Sequence, residues 1–170
     1  MAILKADRTT TLGGVTVNEY LLTKHNPNKI DMPSVSMEEY DALAIPGGFE
    51  EFGFYEEAFS KELADIIRKF NDKNKMIATV CVGALALGHS GILTGKKATT
   101  YHLNNGQRQK QLAEYGAEIV NLPVVKTDNI ITSYCPQTAP EVAFVLLESL
   151  IGTEKMKIVK TAMGFEFSSD

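Results

Sequence analysis

The sequence predicts an α/β domain, a doubly wound and mostly parallel sheet with helices on both faces, and three observations carry the prediction. Short apolar runs alternate with helix-period segments after residue 40, which is the pattern of βαβ units. Two of those runs end in small-residue turns, Pro46-Gly47-Gly48 and Cys81-Val82-Gly83, as strand-to-helix connections require. The composition is that of one globular domain over 1–170, with 44% hydrophobic and 22% charged residues. A chain of that length buries roughly two-thirds of the surface its unfolded form exposes.

The first 40 residues read differently from the rest. Ala2-Ile3-Leu4 is a short apolar beginning, Gly13-Gly14-Val15-Thr16-Val17 resembles a hairpin strand, and His25 to Pro33 an irregular connection. Asp41 to Ile45 then reads as a buried strand. Tyr55 to Asn71 places Phe59, Leu63, Ile66, Ile67 and Phe70 on one helical face. Met76 to Val80 reads as a central strand, and Ala84 to Leu87 begin a helix apolar nearly all round, stopped at Ser90-Gly91. A strand is expected over Ala98 to Tyr101 and a polar helix over Leu103 to Tyr115, closed by Gly116. Further strands are expected at Glu118 to Val120, Val124 to Lys126 and Ile130 to Ser133. Thr138 and Glu141 have the spacing of a capping box, Pro140 sits early, and Gly152 supplies a stop, so a helix runs from Pro140 to Ile151. An amphipathic helix over Glu154 to Met163 closes the chain.

Charge narrows the function. The formal net charge is -4 and Lys and Arg are scattered, so there is no electrostatic footprint for nucleic acid or an anionic membrane. The longest apolar run, Val142 to Leu147, is too short to span a bilayer, and no leader pattern opens the chain; a cytoplasmic protein is expected. The two cysteines, Cys81 and Cys135, lack the paired spacing of a zinc site, which leaves thiol chemistry or simple burial. No metal and no organic cofactor is called for.

Cys81 is the candidate for that chemistry, with burial as a small hydrophobe the alternative. It follows a strand and precedes a small-residue helix, a geometry that projects its side chain at the carboxyl edge of the sheet, where open α/β sheets bind ligands. A thiol at a helix N-terminus is expected to have a lowered pKa. The Gly47-Gly48 turn lets backbone approach a substrate, and its N–H groups with that of Val82 are placed to hold an oxyanion; an ordinary tight turn is the alternative.

The motifs Asp41-Ala-Leu-Ala-Ile-Pro-Gly-Gly48, Val80-Cys-Val-Gly-Ala-Leu-Ala-Leu-Gly88, Gly91-Ile-Leu-Thr-Gly-Lys-Lys-Ala-Thr-Thr100 and Asn129-Ile-Ile-Thr-Ser133 resemble, in order, those of the ThiJ/PfpI family of the class I glutamine amidotransferase-like superfamily. The resemblance runs from about Gly13 to Gly152. It implies a flavodoxin-like fold, a homodimer, and Cys81 as the elbow nucleophile. The activities it implies are glyoxalase III-type conversion of methylglyoxal, deglycation, isonitrile hydration, peptidase action and redox-linked chaperoning; the segment around Cys81 is most similar to the isonitrile hydratase branch.

Three departures qualify what the resemblance implies. The family's first strand and helix, which carry an Asp or Glu bonded to the elbow thiol, are expected to be missing ahead of Gly13, so the fold is read as N-terminally shortened. Glu50 and Glu51 are the nearest acids by sequence, with a solvated loop as the alternative. The peptidase branch has His after the nucleophile, where this chain has Val82. The family His after the Thr-Thr pair corresponds to Tyr101, with His102 displaced by one; in a strand, that shift points His102 to the opposite face. His25 and His89 read as surface or loop histidines. Cys135, in Ser133-Tyr134-Cys135-Pro136, matches a loop beside the elbow and is either a resolving thiol or simply buried.

The expected function is therefore a cysteine-dependent hydrolase or lyase acting on a small-molecule carbonyl, amide-like or isonitrile substrate. Cys81 is its nucleophile, Gly48 and Val82 its oxyanion donors, and His102 or Glu51 its proton relay. The alternatives are a non-catalytic redox-sensing or stress protein with an oxidisable Cys81, and a shortened product completed by a partner chain.

Overall fold

The computed structural model describes residues 2–7, 14–19 and 37–165. The connection expected over His25 to Pro33, and His25 with it, lies outside them. Strands β1 (Ala2–Asp7), β2 (Gly14–Glu19), β3 (Ala42–Ile45), β4 (Met76–Thr79), β7 (Val124–Thr127) and β8 (Ile130–Ser133) form one six-stranded sheet. Its order is β2-β1-β3-β4-β8-β7. The parallel pairs β3-β4 and β4-β8 form its centre, and antiparallel partners flank them on both sides. This is a mixed α/β sheet of the expected class, and the β1-β2 pair matches the hairpin reading of the first residues. The strands β5 (Lys97–Ala98) and β6 (Glu118–Ile119) pair with each other instead of joining the main sheet.

Alternation along the strands divides the core into two layers. Leu43, Ile45, Ile77 and Ile130 face one side and pack with helices α2 (Lys61–Asp72), α3 (Ala84–Ser90) and α4 (Gln107–Glu114) through Ile67, Phe70, Leu85, Leu87 and Leu112. Ala42, Ala78 and Ile131 face the other side, where Val142 and Leu146 of α5 (Ala139–Ile151) cover them. Alanines on that face bring α5 close to the strands. Truncating a fully buried residue such as Phe70 in the larger layer costs about 3–5 kcal/mol.

Four local expectations are corrected. The single helix over Tyr55 to Asn71 is two, α1 (Phe54–Ala58) and α2, because Ser60 leaves the helical path and caps α2, its Oγ accepting the Leu63 N–H at 3.3 Å. The strand over Ala98 to Tyr101 ends at Ala98. The helix expected from Leu103 begins only at Gln107, since Asn104, Asn105 and Gly106 all adopt left-handed backbone, with φ of 55°, 58° and 66°. No capping box forms at Thr138: a 3-10 turn over Pro136–Thr138 runs straight into α5, and the Thr138 hydroxyl donates to the Cys135 carbonyl at 2.6 Å. The last helix, α6 (Thr153–Ala162), lies against α5 and buries none of its residues fully.

Candidate active site

Cys81 opens a 3-10 turn, Cys81–Gly83, between β4 and α3, and its φ is +58°. Left-handed backbone at a non-glycine residue costs roughly 1–2 kcal/mol and persists only where the surroundings enforce it. The surroundings here are backbone. The Val80 N–H donates to the Ile45 carbonyl at 3.2 Å and the Gly83 N–H to the Val80 carbonyl at 3.0 Å, while the Thr100 hydroxyl donates to the Cys81 carbonyl at 2.9 Å. Two glycines make the turn fit. A Cβ on Gly83 would stand 2.6 Å from the Ile45 carbonyl oxygen, and one on Gly47 would stand 2.9 Å from Cys81 Cβ. Gly48 is held differently: a Cβ there would strike the Phe54 ring at 2.4 Å.

The Cys81 side chain lines a cleft of about 1140 Å³. Gly47, Gly48 and Val82 line the same cleft, together with Glu50, Glu51, Tyr55, Tyr101, Arg108 and Cys135. So the structure brings together all but one of the residues proposed for the site. His102 is the exception. Because the strand ends at Ala98, alternation no longer governs this stretch; Tyr101 lines the cleft, and His102 Nδ1 lies 3.4 Å from the sulfur of Cys135, its ring 4.1 Å from that of Tyr134. His89 is exposed on α3, packed beside Phe59 and Tyr115.

The electrostatics correct one expectation. The Cys81 thiol is not lowered. Burial pushes it above the ordinary thiol range, the backbone N–H of Val82 pulls the other way, and charge on Cys135 would raise it further. Desolvation exceeds what one amide hydrogen returns at this turn. Cys135 is likewise pushed up by burial and pulled back by the backbone N–H of His102. Burial also raises the Tyr55 phenol, with Arg108 opposing it and charge on Cys81 adding to it. Among the described residues no carboxylate hydrogen-bonds to the Cys81 thiol, and no group of three His, Cys, Asp or Glu side chains is gathered to hold a metal.

Sequence reasoning missed Arg108. It lies in the first turn of the polar helix α4, its guanidinium 4.5 Å from the centre of the Tyr55 ring and 3.6 Å from the Glu50 carboxylate. Only the unusual Asn-Asn-Gly approach to that helix hinted that its start is turned toward the site.

A left-handed cysteine at a strand-to-helix turn, set in a cleft at the carboxyl end of the parallel strands β3 and β4, defines an α/β protein with an elbow-type turn. The chain belongs to the DJ-1/PfpI family, whose model matches residues 6–149. It is 33% identical to protein DJ-1alpha of Drosophila melanogaster, over 78% of this chain and 61% of that protein. It is 33% identical to the glutathione-independent glyoxalase DJ-1 of Schizosaccharomyces pombe, over 71% of this chain and 60% of the relative. To the isonitrile hydratase of Pseudomonas putida the identity is 27%, over 74% and 52%. The crystal structure of Drosophila melanogaster DJ-1beta superposes with a TM-score of 0.70 at 28% identity, covering 80% of this chain and 70% of that one. The chain thus spans about three-fifths of the length of the first curated relatives it matches. No helix among the described residues is long and apolar enough to cross a membrane.

Proposed function

We propose that the chain is a cysteine-dependent enzyme acting through Cys81 on a small carbonyl, amide-like or isonitrile substrate, as a cytoplasmic homodimer. The carrying observation is the left-handed φ of 58° at Cys81, which sets a strained thiol in the wall of a cleft large enough for a small molecule. The relatives named as a glyoxalase and an isonitrile hydratase support the same reading.

For a carbonyl substrate, a sulfur lone pair forms the new C–S bond and the C=O π pair moves to oxygen. The Val82 N–H, which opposes the upward shift of the Cys81 thiol, and the Gly48 N–H receive that oxyanion. The thiol proton passes to Glu51 at the cleft or to His102 behind Cys135; water later cleaves the C–S bond, its oxygen going to the product carbon and a proton returning to the Cys81 sulfur. The test is consumption of methylglyoxal, small amides and an isonitrile by the wild type and by Cys81→Ala. One compound is expected to be consumed by the wild type and spared by the variant. Equal turnover in both removes Cys81 from the mechanism, and no turnover in the wild type refutes the enzyme. Sedimentation at micromolar concentration tests the dimer, which a monomeric mass contradicts.

The Cys135–His102 contact favours a second reading, a redox-sensing protein. A hydroperoxide oxidises the Cys81 thiolate to a sulfenic acid and is itself reduced to the alcohol. Cys135 then passes its proton to His102 and attacks the Cys81 sulfur; hydroxide leaves, takes up the proton as water, and a disulfide remains. Peroxide treatment is expected to link the tryptic peptides 76–96 and 127–155 in the wild type. Direct passage of Cys81 to sulfinic acid, at one rate with or without Cys135, refutes the resolving role.

A further inference from the structure

The wall of the cleft is mainly apolar, formed by Phe49, Tyr55, Tyr101 and Leu103 among others, and Arg108 is the one basic side chain among the described residues that line it. Its guanidinium is fixed on two sides. It lies over the Tyr55 ring at 4.5 Å, and its Nη1 donates to Gln111 Oε1 at 3.0 Å. On the third side stands Glu50, 3.6 Å away, beyond a good hydrogen bond and on a side chain 80% exposed, whereas the Arg108 side chain is only 24% exposed. An ion pair with so exposed a partner is weak, and a ligand carboxylate inside the cleft displaces it readily.

We propose that the cleft selects anionic electrophiles: a small 2-oxo carboxylate or similar compound, its carboxylate held by the Arg108 fork and its reactive carbon at Cys81, with Glu50 as a carboxylate that stands in when no ligand is bound. A planar guanidinium held by an aromatic face and a glutamine is pre-organised for two parallel hydrogen bonds to a carboxylate, and the apolar wall strengthens them. Tyr55, which carries Arg108 over its ring, lines the same cleft as Cys81.

The inference rests on Cys81 as the nucleophile of the cleft, and its test separates the two claims because it needs no turnover. The Cys81 peptide 76–96 is followed by mass spectrometry during alkylation with iodoacetate and, separately, iodoacetamide, and the ratio of the two rates is the readout. Arg108→Gln is expected to lower that ratio about fivefold to tenfold, the worth of a charge-assisted bond in a partly exposed cleft, and Arg108→Lys to restore part of it. Glu50→Gln is expected to raise it, a change that a merely structural role for Arg108 does not produce. A ratio unchanged in Arg108→Gln, or lowered in Glu50→Gln, overturns the inference while leaving Cys81 as the nucleophile. Failure of both reagents to label Cys81 in the wild type overturns both.

Discussion

Gly47 and Cys81 are in direct backbone-to-side-chain contact: the hydrogen on Gly47 occupies the space where any side chain would stand 2.9 Å from Cys81 Cβ and 3.2 Å from the Val80 carbonyl oxygen. The strand-end turn after β3 therefore shapes the elbow after β4, and the parallel pairing of the two strands holds them in register, Ile45 opposite Thr79. Gly47→Ala is expected to destabilise the chain by about 1–3 kcal/mol, the usual cost of overpacking a tight site. At this chain length each kcal/mol lowers the melting temperature by about 2–4 °C. A melting curve unchanged by the substitution contradicts the contact.

The strain at Cys81 makes a prediction in the opposite direction. Cys81→Ala keeps a Cβ on left-handed backbone, and Cys81→Gly removes it. Glycine is expected to give the more stable of the two variants by about 1 kcal/mol, or about 2–4 °C. Thermal melts of the pair decide it; an alanine variant that melts higher means that φ is not left-handed in solution.

The Thr100 hydroxyl is buried and donates to the Cys81 carbonyl at 2.9 Å. Thr100→Val keeps the shape and removes the donor, leaving a buried carbonyl unpaired, at a cost of about 1–3 kcal/mol. Thr100→Ser is expected to recover part of it. Equal losses in both variants point to packing rather than the hydrogen bond.

Burial raises the Cys81 thiol, so the thiol form is favoured in the fold and the anion appears only at a pH above that of an ordinary cysteine. Iodoacetamide labelling of the 76–96 peptide is expected to titrate above a free small thiol measured alongside. The same sign holds for stability: this group's contribution is fully present below the unfolded pKa and is lost as pH rises through the folded one. A labelling midpoint below the free thiol contradicts this balance of burial against the Val82 amide.

Much of this was legible in the residues, and for identifiable reasons. The strand before Pro46 and the helix ending at Gly152 match the structure within a residue, because periodicity and a stop signal agree there. Cys81 was legible because a short strand, a small-residue turn and a buried helix leave one geometry for it. The expected lowering of its pKa failed because a sequence shows the amide donors of a turn but not how far the thiol is withdrawn from water. The break at Phe59–Ser60 was hidden by apolar spacing that continues across it; Phe59 stacks on Tyr55 while Ser60 starts a new helix. The contact of His102 with Cys135 spans 33 residues and depends on where the strand at Ala98 ends, which propensity does not fix. Arg108 was passed over because a polar helix reads as a solvent face until the chain reversal before it is known.

The most direct test of the account is the turnover of the best substrate from the methylglyoxal, amide and isonitrile panel by Cys81→Ala, with the variant first shown to be folded by its melting curve. Turnover is expected to fall by about three orders of magnitude or more, as when a covalent nucleophile is removed. Turnover within about twofold of the wild type would contradict it.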